Sequence, residues 1–320
     1  MPKQWNPAAL PLQSRTALRI EFAAYHTGVR IEIPFTGIVG RAREPRLLVI
    51  AGVHGDEYEG VAALIDLAQE LNPNEVDGTL TIVPVANPQA FDAGTRRNPV
   101  DFGDLNRCFP GDPSGPLSSR LAHLLFEELV LGNDCLLSLH GWSREATVIP
   151  YAEYPKEQTE AGRKSREAAF ATGLEYFHPY DWPTGVLGQA ALPHGIAAVE
   201  TEVGGMGTVT EAGQATTKNL VFGFLRYWGV FPQRHSPMPS PQAPRIVDHI
   251  DVFADHAGLF RAAVQAGQAV EQGTLLGTIH AVDGRLMAEL RAPGSGVIAI
   301  LRTFASVRPG DRLVQVFFEA

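Results

Sequence analysis

An apolar run that ends in a charged turn constrains this chain more than any other stretch: Leu47-Leu48-Val49-Ile50-Ala51-Gly52-Val53-His54-Gly55-Asp56-Glu57. The run reads as a central strand covered on both faces, as in an α/β sheet. Gly52 and Gly55 let the backbone turn sharply without a steric penalty. Val61, Leu64, Ile65 and Ala68 then recur at helical spacing, so a helix is expected from about Glu57 to Leu71. Open α/β sheets place their chemistry where a strand end feeds a helix start.

From such a turn His54 and Glu57 can point the same way as two metal ligands. A catalytic zinc ion takes three protein ligands and keeps a fourth position for water. The best third candidate is His140, at the end of a second buried-looking run, Cys135-Leu136-Leu137-Ser138-Leu139-His140-Gly141. Two nitrogens and a carboxylate also accept other divalent ions. A third strand, Gly195 to Gly205, carries Glu200 and Glu202, and alternation puts both on one side. A carboxylate in a buried strand is costly unless it has a partner or a task.

The rest of the chain fits around these three strand ends. Leu18–Phe22 and Val29–Ile33 alternate and read as an antiparallel edge, with His26-Thr27-Gly28 as turn material. Thr79 to Val85 is a strand, so the order becomes β-α-β. Residues 89 to 116 are rich in Asp, Asn, Arg, Gly and Pro, and a loop of that length in a compact domain is usually functional. It holds Arg96, Arg97, Asn106 and Arg107, residue types that suit carboxylate recognition, although a solvated loop laced by Arg–Asp pairs has the same composition. Helices are expected over 118–131, 157–171 and 216–229, with a rim loop over 176–188. Five prolines from Pro232 to Pro244 suggest a stiff linker. It divides residues 1–243 from a glycine-punctuated, short-stranded unit at 244–320, a small barrel or sandwich.

A net charge of −9 argues against a nucleic-acid partner. No run approaches the roughly 20 apolar residues of a membrane span, and residues 1–15 lack the apolar centre of a signal peptide. Cys108 and Cys135 are too few for a disulfide framework, so a reducing cytoplasm is the simplest home. An acidic surface is compatible with a homo-oligomer.

Four motifs, His54-Gly55-Asp56-Glu57, Asp104-Leu105-Asn106-Arg107-Cys108-Phe109-Pro110-Gly111, Leu139-His140-Gly141 and Thr201-Glu202-Val203-Gly204-Gly205, together resemble the succinylglutamate desuccinylase/aspartoacylase family, a branch of the zinc carboxypeptidase superfamily. The resemblance implies an α/β fold with a mixed sheet flanked by helices and a smaller C-terminal all-β domain. Ala266–Gly273 and Ala292–Val297 in that tail are similar to the biotinyl/lipoyl pattern, but no lysine lies between 245 and 320 to carry such a cofactor. The implied activity is zinc-dependent cleavage of the amide bond in a small N-acyl amino acid. His54, Glu57 and His140 match the zinc ligands, Glu202 the general base and acid, and Asn106 and Arg107 the substrate carboxylate contacts. Arg96 matches the arginine that polarises the scissile carbonyl, with Arg97 as the rival alignment. One departure stands out. Aspartoacylase-like members place a substrate-contacting tyrosine in the C-terminal domain, and this chain has no tyrosine after Tyr227. A peptide-cleaving carboxypeptidase and a non-catalytic metal-binding protein are the alternative readings.

Overall fold

The computed structural model describes residues 5–24, 28–231 and 244–320. The expected turn at His26-Thr27 and the linker prolines Pro232, Pro237, Pro239 and Pro241 lie outside the described residues. In chain order the first part runs β1 (Ser14–Ala24), β2 (Arg30–Val39), β3 (Arg46–Ala51), α1 (Glu59–Glu70), β4 (Thr79–Val83), α2 (Pro88–Ala93), α3 (Leu117–Leu125), β5 (Cys135–His140), β6 (Ala146–Pro155), α4 (Glu160–Ala171), β7 (Tyr176–Tyr180), α5 (Leu187–Ala191), β8 (Ala197–Gly205) and α6 (Glu211–Tyr227). Residues 244–320 hold strands alone: β9 (Arg245–Phe253), β10 (Gly258–Ala262), β11 (Ala269–Val270), β12 (Leu275–His280), β13 (Leu286–Arg291), β14 (Gly296–Arg302), β15 (Ser306–Val307) and β16 (Arg312–Glu319).

The centre of the large mixed sheet is parallel, in the order β4-β3-β5-β8. The chain leaves β3 through α1 to reach β4 on one side, whereas β5 lies on the other. The gap between β3 and β5 is therefore a topological switch point, where α/β sheets open a crevice at their carboxyl ends. The register aligns those ends: Ala51 stands opposite Leu139, and His140 opposite Glu202. β2 and β1 continue the sheet antiparallel on one side, as the alternation of the early strands suggests.

Strand alternation builds two apolar layers. Leu47 and Val49 face α1 and α6, packing with Leu64, Leu67, Leu220 and Phe224. Leu48 and Ile50 face the opposite layer, with Leu121 and Leu125 of α3. Each of these side chains is buried, worth about 1.5–3 kcal/mol apiece. Helix α1 lies close to β5 because Gly60 has no side chain; a Cβ there would stand 2.7 Å from Leu139 Cβ. Side-chain caps open α2, α4 and α6: Asn87 accepts the Ala90 N–H, Thr159 the Gly162 N–H and Thr210 the Gly213 N–H.

Three stretches differ from expectation. Residues 176–188 are not one rim loop but strand β7 and a turn leading to α5, because β7 pairs with β6 in parallel and its Phe177 is buried. Residues 89–116 include the end of α2 and a short 3-10 turn at Leu105–Arg107. The helix expected to Leu131 leaves α geometry at Phe126 and continues as a π turn to Val130.

The sheet does not stop at residue 231. β9 pairs with β7 in parallel, and β14 pairs with β6 antiparallel through Ile300 and Val148. A second, four-stranded sheet, β13-β12-β10-β15, packs onto these C-terminal strands around Phe260, Leu276, Ile279, Ile298 and Val316.

Candidate functional site

His54 follows the end of β3, Glu57 precedes α1, and His140 ends β5; all three are buried. Their inward ligand atoms lie within 4.8 Å of one another. His54 Nδ1 is 2.8 Å from Glu57 Oε1, His140 Nδ1 is 3.0 Å from Glu57 Oε2, and the two Nδ1 atoms are 3.3 Å apart. Tetrahedral nitrogen ligands at zinc, with bonds of about 2.0–2.1 Å, stand at about this separation. The outer nitrogens are taken: His54 Nε2 lies 3.1 Å from Asp104 Oδ1 and His140 Nε2 lies 3.0 Å from Ser138 Oγ. With Nε2–H donated outward, each imidazole turns an Nδ1 lone pair inward. Two lone pairs and a carboxylate facing one another repel unless a cation stands between them, so this donor set fits a divalent ion.

The local field favours positive charge. Burial works against a charged His140, yet Glu57, Glu200 and Glu202 outweigh it and raise its pKa to about 9. Burial likewise opposes an ionised Glu57, and the flanking imidazoles still hold its carboxyl well below the usual range.

Glu202 lies on β8 directly across from His140, and its Oε2 is buried with no hydrogen-bond partner. Burial, then the charge of Glu57, pushes its carboxyl well above the ordinary glutamate range. Arg96 reaches in from the loop, with Nη1 3.3 Å from Glu57 Oε1 and Nε 3.3 Å from Asp104 Oδ2. Arg97 is exposed and does not line the cavity, so of the two adjacent arginines only Arg96 faces the site. Arg107 lines the cavity and is exposed at its rim. Asn106 also lines it but is engaged by the protein: its Oδ1 accepts the Leu187 N–H at 2.9 Å, and its Nδ2 is 3.5 Å from Glu200 Oε2.

The cavity at these groups measures about 160 Å³. Larger clefts beside Trp5 and beside Tyr154 lack a convergent set of metal-ligating side chains. Several of its walls were not anticipated. Asp104 is the hinge of the centre, holding both His54 and Arg96. Glu153 and Tyr151 come from β6, His178 and Tyr180 from β7, and His249, Arg312 and Gln315 from the C-terminal strands β9 and β16. The cavity thus has tyrosines, but they precede residue 231. A signal for Asp104 was present in its motif; none marked His249 or Arg312, which enter through sheet pairing distant in sequence. A second cluster, His178, Asp248 and His249, gathers where β7 meets β9.

The succinylglutamate desuccinylase/aspartoacylase catalytic domain model matches residues 43–228. An N-alpha-acetyl-L-2,4-diaminobutyric acid deacetylase of Halomonas elongata is 34% identical over 296 residues, spanning 89% of this chain and 85% of that protein. Among solved structures, the product-bound ectoine utilization protein EutE (DoeB) of Ruegeria pomeroyi superposes with a TM-score of 0.88 at 26% identity, covering 97% of both chains. A succinylglutamate desuccinylase/aspartoacylase of Rhodobacter sphaeroides gives 0.87 at 28% identity, covering 97% of this chain and 98% of that one. With more than half its length matched by the family model, this chain belongs to the succinylglutamate desuccinylase/aspartoacylase family.

Proposed function

We propose that the chain is a zinc-dependent deacylase that hydrolyses the amide bond of a small N-acyl amino acid. The observation that carries this reading is the convergence of His54, Glu57 and His140 beside the unpartnered carboxylate oxygen of Glu202. A divalent ion held by the three ligands supplies a Lewis acid and lowers the pKa of water. Glu202 takes the proton of the attacking water and later hands it to the leaving nitrogen, so one amide and one water become a carboxylate and an amine. Arg96, fixed by Glu57 and Asp104, offers its guanidinium to the oxyanion as charge develops. Arg107 at the rim takes the substrate carboxylate and sets the angle of attack.

The relative that removes an acetyl group supports acetyl as the acyl group here. The small volume of the cavity, walled by Arg312 and Gln315, favours a compact substrate over a peptide. Metal analysis of the purified protein followed by a hydrolysis screen over N-acetyl, N-succinyl and N-formyl amino acids tests the reading. A stoichiometric divalent ion and turnover of at least one acyl class are expected. Absence of both defeats the proposal.

A further inference from the structure

The cavity holds more negative charge than the reaction uses. Beyond Glu202 two further carboxylates line it, Glu200 and Glu153. They are direct neighbours across β8 and β6, where Glu153 stands opposite Glu200. Glu200 is 93% covered and its Oε1 has no hydrogen-bond partner, while its Oε2 meets only Asn106 at 3.5 Å and His140 at 3.9 Å. Glu153 is held from behind by three side chains: Tyr151 Oη at 3.4 Å, His178 Nδ1 at 3.3 Å and Trp182 Nε1 at 3.1 Å. Among the described residues no lysine or arginine forms an ion pair with either carboxylate.

Burying the unpartnered Oε1 of Glu200 is costly, and a second carboxylate on the neighbouring strand adds repulsion. Such a pair persists where a cation is taken up. A small metal ion is a poor match, because the ligand sets that converge among the described residues are His54–Glu57–His140 and His178–Asp248–His249, neither of which contains Glu153 or Glu200. An ammonium group reaches carboxylates at hydrogen-bond distance and does not need such tight convergence. Besides Arg96, the cavity's arginines Arg107 and Arg312 supply the opposite sign for a carboxylate.

We infer that Glu153 and Glu200 form an ammonium subsite that selects N-acyl amino acids carrying a second, free amino group. This rests on the deacylase reading for its substrates, but the subsite can also be tested without hydrolysis. Tyr151, His178 and Trp182 act as positioning residues that hold the Glu153 carboxylate towards the cavity.

The test compares N-acetyl-L-2,4-diaminobutyrate with N-acetyl-L-norvaline, in which a methyl group replaces the side-chain ammonium. The metal-loaded wild-type enzyme is expected to prefer the cationic substrate by about a hundredfold in kcat/KM. Glu153→Gln should shrink that ratio at least about tenfold, and Glu153→Asp should keep part of it. An equal fall on both substrates in Glu153→Gln, or no preference in the wild type, overturns the assignment. Calorimetric binding of the free amino acids, L-2,4-diaminobutyrate against L-norvaline, reads the same subsite with no bond cleaved. Tighter binding of the diamine, lost in Glu153→Gln, supports the subsite even if neither acetyl compound is hydrolysed. Equal binding of the two sinks it even if hydrolysis is fast.

Discussion

Glu202 and His140 face each other across one rung of the sheet, and this pairing sets what single substitutions should do. Glu202→Gln keeps the shape and removes the proposed base. It should lower kcat by about 10²–10⁴-fold while metal content stays the same, read by elemental analysis beside steady-state kinetics. The pH profile carries a sign. Glu202 must be unprotonated to accept a proton, and burial raises its pKa, so activity should climb with pH along a limb lying above the ordinary glutamate value of about 4.3. A limb at or below that value would count against Glu202 as the base. Arg96→Ala should cost about 10²–10³-fold in kcat, whereas Arg97→Ala should stay within about twofold of wild type. Equal losses from both would contradict their opposite placement. The candidate ligands were legible because His54, Glu57 and His140 each follow an apolar run at a strand end. Asn106 was legible from its motif as a candidate substrate contact, whereas its hydrogen bond to the Leu187 N–H comes from 81 residues away, and no local pattern encodes that.

At the scale of elements, the turn between β3 and α1 is tightly enclosed. A Cβ on Gly55 would fall 2.0 Å from the Ala90 carbonyl carbon, against the backbone of α2. Gly55→Ala should therefore destabilise the protein by about 3 kcal/mol or more and lower its metal occupancy, measurable by urea unfolding and elemental analysis. Metal removal acts on the same turn. A ligand that binds only the folded state stabilises it by about 4 kcal/mol at a thousandfold excess over its Kd, so a chelator should lower Tm by several degrees and readdition should restore it. An unchanged Tm would mean the three ligands grip no ion. The central strands and the principal helices could be read from period alone, since burial on two faces or one leaves a mark in the sequence. Strand β7 could not: Tyr176 to Tyr180 has no clear alternation, and its identity comes from pairing with β6 and β9 on its two sides.

Taken whole, the molecule joins its C-terminal strands to the α/β part through main-chain hydrogen bonds, at β7–β9 and at β6–β14. We read residues 244–320 as a small β domain, but one whose stability is tied to the sheet it extends. Calorimetric unfolding should then show one cooperative transition; two well-separated transitions would mean the seam is weak. The composition of the tail gave its strands and glycine turns, and nothing in it foretold that Arg312 and Gln315 reach the cavity, since contacts between distant strands leave no periodic trace. Arg312 is tethered to Asp251 at 3.0 Å and lies over the Trp142 ring. The proposed metal ligands and base therefore sit on or just beyond β3, β5 and β8, whereas β9 and β16 contribute wall and none of those groups. Exchanging side chains along those two strands can redraw which molecules are admitted and leave the cutting machinery as it is, so new specificities are within reach of changes to the tail alone.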